Sequence, residues 1–218
     1  MLKALIFDFD GLILDTETPE YIALNEVYEE LGHKLPIATY GRVVGGQYNH
    51  EYEPVEHLQE LAGKPLDTVS FWQRINQRRI EMIEQNPILP GVEKLILDGK
   101  ARGLKLAVAS SSSHEWVEGH LKRLNLFQYF DVIRCKEDVL KVKPEPDLFL
   151  AALGELGVRA DEAVIFEDSL NGIIAAGRAG IRVVVVPNPV TMHTNIKGET
   201  LRIGSLAELS LDELISKL

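Results

Sequence analysis

Cysteine is almost absent: Cys135 is the only one in 218 residues. A single thiol excludes an intramolecular disulfide framework and a cysteine-cluster zinc site, and it suits a reducing compartment. No apolar run approaches the roughly 20 residues needed to span a bilayer. The apolar start, Met1 to Phe7, is cut off by Asp8 and Asp10 before it reaches the length of a secretory signal. The expectation is a cytoplasmic protein with no membrane partner. Basic residues are outnumbered, with 23 Lys and Arg against 33 Asp and Glu, for a net charge of −10. That surface repels the phosphate backbone, so no nucleic-acid partner is expected. A local pocket can still oppose the global sign and hold a small anion.

Several chemical signatures are missing as well. There is no GxxxxGK[ST], no GxGxxG and no GxSxG. The six histidines show no metal spacing, and His114-Glu115-Trp116-Val117-Glu118 lacks the second histidine of a zinc-protease helix. There is no internal repeat, no low-complexity tract and no long heptad pattern, and a monomer is expected.

What is present is ordinary globular composition, 45% hydrophobic and 26% charged. A chain of this length buries a core without staples. Leu2 to Phe7, Leu104 to Ala109, Ala163 to Phe166 and Arg182 to Val186 are short, nearly continuous apolar runs, and Asp131 to Cys135 is a fainter one. Such runs suit strands covered on both faces, hence a parallel sheet. Helical spacing lies between them. Val92, Leu95, Ile96 and Gly99 follow Pro90; Val117, Leu121 and Leu124 follow a capping pair, Ser112 and Glu115; Phe149, Ala152, Leu153 and Leu156 mark a third. Small residues from Ser169 to Ala179 predict a helix lying close to the sheet, and Ser210 with Glu213 caps a last one. The alternation implies an α/β protein with a doubly wound parallel-sheet core.

Residues 16–87 break the pattern. Thr18-Pro19 reads as an N-cap with proline at the first helical position. Tyr21, Leu24, Tyr28 and Leu31 mark one helix face; Val55, Leu58 and Leu61 a second; Trp72, Ile75, Arg79 and Met82 a third. A proline-bracketed linker, Pro87 to Pro90, closes the segment. The expected division is an α/β core of residues 1–15 and 88–218 and an inserted all-helical cap of residues 16–87.

Open α/β sheets place ligands at the carboxyl ends of their strands. Those ends carry Asp8-Phe9-Asp10-Gly11, the run Ser110-Ser111-Ser112-Ser113, and Glu167-Asp168, while Lys143 precedes Pro144 in a loop. Gathered together, Asp8, Asp10, Glu167 and Asp168 would raise one another's pKa values. A hard divalent cation resolves that conflict, and carboxylate oxygens suit Mg²⁺. A cation and an ammonium beside a carboxylate bind an anion and still offer a nucleophile, which fits phosphoryl transfer. Residues i and i+2 of a strand share a face, so Asp8 and Asp10 can address one cleft. One can attack phosphorus and the other can protonate the leaving alcohol. Gly11 lets the backbone turn beside a bound oxyanion, and the serine run, Ser110 foremost with Ser111, can hold phosphate oxygens.

These four segments resemble the motifs of the haloacid dehalogenase superfamily, in that family's order. Asp8 to Thr16 is similar to its first motif, Ser110 to its second, Lys143-Pro144 to its third and Phe166 to Gly180 to its fourth. The β-phosphoglucomutase-like phosphatases are the nearest branch. The resemblance implies Asp8 as nucleophile and Asp10 as general acid–base. It implies Mg²⁺ held by the Asp8 side chain, the Asp10 backbone carbonyl and Asp168, with Glu167 nearby or ligating. Ser110 and Lys143 would bind the transferring phosphate, under a cap that closes over the core. Mutases of the branch carry a histidine where this chain has Glu20, which favours net hydrolysis. The expected substrate is a small phosphorylated metabolite, a sugar phosphate foremost. The rival readings are a phosphosugar mutase, a metal-free dehalogenase and a non-catalytic phospho-acceptor of the receiver kind. Arg74, Arg78 and Arg79 read as a solvated helix face rather than as substrate contacts. Trp72 and Trp116 read as packing residues, and Gly45-Gly46-Gln47 as a turn or a specificity loop.

Overall fold

The computed structural model describes residues 1–41, 44–45, 53–194 and 197–218. Strand β1 (Ala4–Phe7) is followed by four helices, α1 (Glu17–Glu30), α2 (Ile37–Tyr40), α3 (Pro54–Ala62) and α4 (Thr68–Ile83). Strands and helices then alternate through α5 (Val92–Ala101), β2 (Lys105–Ala109), α6 (His114–Arg123), β3 (Val132–Arg134) and α7 (Asp147–Leu156). The chain continues through β4 (Ala163–Glu167), α8 (Leu170–Ala179), β5 (Arg182–Val185), β6 (Leu201–Arg202) and α9 (Leu211–Lys217). The strands form one six-stranded parallel sheet in the order β3-β2-β1-β4-β5-β6. This is the expected doubly wound α/β core with an inserted helical cap.

Both faces of the sheet are buried, which is why its strands read as unbroken apolar runs. Leu5, Phe7, Leu106, Val108, Val164, Phe166 and Val184 point to one side, where Val92, Leu95, Val117, Leu121 and Leu214 cover them. Ala4, Ile6, Ala107, Ala109, Ile165 and Val183 point to the other, under Leu148, Phe149, Ala152, Ile173 and Ala176. The alternation is the period-two rule of a strand acting on two cores at once. Gly99 brings α5 close to the sheet, since a Cβ there would lie 3.0 Å from Leu5 Cδ1.

Cap helices α1 and α4 share a separate core of Ala23, Leu24, Tyr28, Phe71 and Ile75, joined by Leu35, Tyr40, Val55 and Leu58. Their outer edges are stitched by ion pairs, Glu30 with Arg74 and Glu26 with Arg78 (3.0 Å). No helix among the described residues is long and apolar enough to cross a membrane.

Four local expectations change. Helix α1 begins at Glu17, not after Thr18; the Asp15 carboxylate takes the Thr18 amide (3.0 Å) and the start falls two residues earlier. Ser113, not Ser112, caps α6 by accepting from the Trp116 amide (3.3 Å), because Ser112 is drawn to Asp10 instead. Gly177 faces open space, so Gly172 alone of the two glycines in α8 serves close approach. Strand β6 was not expected: two residues at a sheet edge leave no periodicity to read.

Candidate active site

The register of the three central strands brings the candidate residues to one edge. Phe7 is level with Val108 and Phe166, so Asp8, Ala109 and Glu167 follow side by side. The ladder runs one residue past the strands: the Asp8 amide donates to the Phe166 carbonyl and the Ser110 amide to that of Arg134, both at 2.9 Å. Strand order reverses on either side of β1, and this is the position where doubly wound sheets bind ligands.

The deep part of the site is closed by hydrogen bonds. Lys143, buried, donates from Nζ to Asp8 Oδ1 and to Glu167 Oε1, each at 2.6 Å. Glu167 Oε2 accepts from the amides of Asp168 and Ser169 (2.9 Å each) and from Ser169 Oγ (3.0 Å). Both Glu167 oxygens are thereby committed. The Ser169 hydroxyl in turn caps α8 by accepting from the Gly172 amide (3.1 Å). A Cβ on residue 172 would fall 1.7 Å from Glu167 Oε1, so only glycine lets the carboxylate lie against this helix.

Asp168 is fully buried. Its Oδ2 accepts from Asn188 Nδ2 (2.7 Å), while its Oδ1 has no hydrogen-bond partner. Gly11, at φ +75°, stands against this pair rather than on the cavity wall; a Cβ would meet Asn188 Nδ2 at 2.4 Å and Asp168 Oδ2 at 2.6 Å. Burial pushes the Asp8 carboxyl up to about 7 against the opposing pull of Lys143, and Glu167 and Asp10 add to the rise. Burial, then the charges of Glu167 and Asp8, holds Asp168 well above the usual carboxylate range. Burial alone would lower the Lys143 ammonium, but Asp8 and Glu167 outweigh it and hold it above its ordinary value.

Asp10 behaves differently. Its carboxylate accepts from four side chains: Ser112 Oγ (2.7 Å), Trp116 Nε1 (2.9 Å), Thr16 Oγ1 (3.0 Å) and Ser110 Oγ (3.3 Å). Ser111 Oγ reaches across to the Gly45 carbonyl of the cap (3.3 Å). Asp8, Asp10, Ser110 and Ser111 all line one cavity of about 350 Å³, whose far wall includes Glu17, Glu20, Tyr40, Gly45 and Arg79 of the cap. Burial, then the charges of Glu20, Asp10, Asp8 and Asp15, keeps the Glu17 carboxyl well above its usual range.

Asp8, Glu167 and Asp168 can each turn one carboxylate oxygen into a space where all three atoms lie within 4.8 Å of one another. The residues fit a hard cation: the donors are all oxygen, two of the carboxyls are strained by burial, and Asp168 Oδ1 is a buried acceptor with nothing to accept from.

A doubly wound sheet that offers carboxylates in place of a hydroxyl or thiol nucleophile, beneath an inserted helical roof, defines a hydrolase of the haloacid dehalogenase type. Residues 5–186 match the family model described as haloacid dehalogenase-like hydrolase, and the chain belongs to that family. It is 46% identical over 218 residues, covering 100% of this chain and 98% of the other, to the Bacillus subtilis protein named "Putative phosphatase YhcW". It is 30% identical to the phosphorylated carbohydrates phosphatase of Thermotoga maritima, covering 100% of this chain and 98% of that one. Among solved structures, CbbY from Rhodobacter sphaeroides in complex with phosphate superposes with a TM-score of 0.76 at 31% identity, over 99% of this chain and 100% of that one. A CbbY variant in complex with xylulose-(1,5)bisphosphate gives 0.77 at 30% identity, over 98% and 99%. These relatives make the chain an enzyme of the phosphatase class.

Sequence reasoning missed three participants. Asn188 follows Pro187 past β5 and carries no spacing signal, yet it holds Asp168. Ser112 reads as a helix cap but binds Asp10. Trp116 reads as packing, but its indole N–H needs an acceptor and finds Asp10, 106 positions away. Arg74 and Arg78 are exposed, as expected, but paired, whereas Arg79 lines the cavity. Gly45 lies on the cavity wall; Gly46 and Gln47 lie outside the described residues.

Proposed function

We propose that this protein is a Mg²⁺-dependent phosphomonoester hydrolase that acts on small phosphorylated sugars through an aspartyl-phosphate on Asp8. The observation that carries the reading is the contrast between the two cleft aspartates. Asp8 has one oxygen on Lys143 and lines the cavity, while Asp10, two residues on, is clamped by four donors beside it. We read the first as the carboxylate that attacks and the second as the one that moves a proton.

The chemistry follows from that division. An Asp8 oxygen attacks phosphorus, the bond from phosphorus to the ester oxygen breaks, and the leaving alkoxide takes a proton from Asp10. Asp10, now a carboxylate, takes a proton from water as that water attacks the acyl phosphate. Inorganic phosphate leaves and Asp8 is restored. Lys143 neutralises charge beside Asp8 throughout, and Glu167 fixes Lys143 rather than acting itself. Ser110 and Ser111 supply hydroxyl donors for the phosphoryl oxygens, while Gly11 turns the backbone beside Asp168 rather than at the phosphate. Asp8, Asp168 and the Asp10 backbone would hold Mg²⁺, which supplies positive charge for the phosphoryl group. Glu17, whose carboxyl burial holds above its usual range, stands on the wall that faces the sugar.

The division of the chain at residues 16 and 87 goes with this reading, since the residues that face the phosphate lie outside that span and those that face the sugar lie inside it. The substrate class rests on the relatives named for phosphorylated carbohydrates and on a cavity of about 350 Å³, the size of a small sugar phosphate. Glu20, where mutases of the branch carry histidine, is paired to Arg79 (3.1 Å), which supports hydrolysis over mutase chemistry. The inserted cap and the second aspartate weigh against a phospho-acceptor. The test is phosphate release from a panel of sugar and nucleotide phosphates, with Mg²⁺ and with EDTA. Release that needs Mg²⁺ and is fastest on sugar phosphates is expected; silence across the whole panel would overturn the reading.

A further inference from the structure

One side chain that touches Asp10 also touches cap helix α4. Trp116 lies on core helix α6, and its Nε1–H donates to Asp10 Oδ1 at 2.9 Å, a bond across 106 positions of sequence. Its ring is held on two sides. His120, one turn on, meets it edge-on at 4.4 Å and stacks in turn on Phe9, the neighbour of Asp10. On the cap side, the Arg79 guanidinium of α4 sits over the indole at 5.1 Å, and Arg79 is fixed by Glu20 of α1 at 3.1 Å. Trp116, Arg79 and Glu20 all line the same cavity as Asp8 and Asp10.

These contacts form a chain from cap to acid–base group: Glu20, Arg79, Trp116, Asp10. A carboxylate has a broad torsion and rotates readily unless its oxygens are engaged. Ser110, Ser112 and Thr16 engage Asp10 from short side chains, all with rotatable hydroxyls that also suit other acceptors. The indole N–H is the one rigid donor of the set. A cation over an indole face is attractive, so a cap seated over the core holds the indole where its N–H meets Asp10.

We propose that Trp116 is a positioning residue for the phosphatase reaction, fixing the orientation of Asp10 and making that orientation depend on Arg79 of the cap. The inference rests on the phosphatase reading above. Its consequence is specific to the step in which Asp10 gives a proton. An alkyl phosphate needs that proton when the ester bond breaks, whereas p-nitrophenyl phosphate, with a stable leaving phenolate, needs it little.

The test is Trp116→Phe, which keeps a ring for Arg79 and removes the N–H. On the sugar phosphate that the wild type hydrolyses fastest, kcat and kcat/KM fall together by about 10- to 100-fold with KM little changed. On p-nitrophenyl phosphate, kcat/KM falls far less. Arg79→Gln gives the same pattern with a smaller loss, and Arg79→Lys recovers part of it. Equal losses on the two esters, no loss on either, or a rise in KM with kcat unchanged would each overturn the proposal, the last by making Trp116 a substrate wall. A readout independent of activity covers poor folding or an inactive wild type. The indole N–H resonance of Trp116, assigned by its loss in Trp116→Phe, is expected to move upfield in Asp10→Ala, and an unmoved resonance overturns the contact itself. Wild-type protein that releases no phosphate from either ester defeats the phosphatase reading, whereas an active wild type with equal losses defeats only this inference.

Discussion

The floor of the cleft and its roof are built on different physics. The floor is Asp8, Lys143, Glu167, Asp168 and Asn188, all nearly out of reach of solvent and joined by bonds of 2.6 to 2.9 Å. Removing one member there strands another charge in a medium that solvates it poorly. The roof is α1 and α4, held by a small apolar core and by ion pairs at the surface, where water and salt weaken each pair. A floor of that kind is intolerant of change and fixes one chemistry. A roof of that kind tolerates change and is where substrate preference can vary.

Variants sharpen this contrast, and the largest effect belongs to the floor. Asp8→Asn is expected to cost at least about 1,000-fold in turnover, since an amide cannot replace the proposed nucleophile; a far-UV spectrum like that of the wild type shows the fold intact, and retained turnover sinks the mechanism. Lys143→Ala leaves Asp8 and Glu167 buried without their cation and is expected to destabilise by about 3–5 kcal/mol, read as a lower urea midpoint. Gly172→Ala follows at about 1–3 kcal/mol, because the methyl must displace the Glu167 carboxylate from its place against α8. A midpoint matching the wild type would show that the floor is softer than its hydrogen bonds imply. Smallest of all, Arg78→Ala in the roof removes an exposed pair with Glu26 and is expected to leave the urea midpoint close to that of the wild type with kcat unchanged. A larger loss than that of Gly172→Ala would erase the distinction between the two regions.

Much of the floor was legible because its residues sit at strand ends, and strand ends follow from apolar runs. Asp8, Lys143, Glu167 and Asp168 each lie within a recognisable segment, and the parallel register that gathers them follows from the alternation of strands and helices. Asn188 was not legible: it lies in an irregular loop, and its role comes from standing 2.7 Å from Asp168, which no spacing encodes. The serine run shows the same limit. Four like residues in a row give the type of chemistry, but only the turn into α6 sorts them, with Ser110 and Ser112 on Asp10, Ser111 on the cap and Ser113 on the helix end.

The sequence by itself determined the class of fold, the order of core and cap, and the residue types at the strand-end edge of the cleft. Those depend on local periodicity and on which residues interrupt it, and both are written along the chain. Only the tertiary structure decided how those residues divide their work. It turned Glu167 into a holder of Lys143, left one oxygen of Asp168 open, and placed Trp116 between the cap and Asp10. Such roles depend on contacts between residues as far apart as Gly11 and Asn188, 177 positions, and those contacts exist only once both hydrophobic cores have closed.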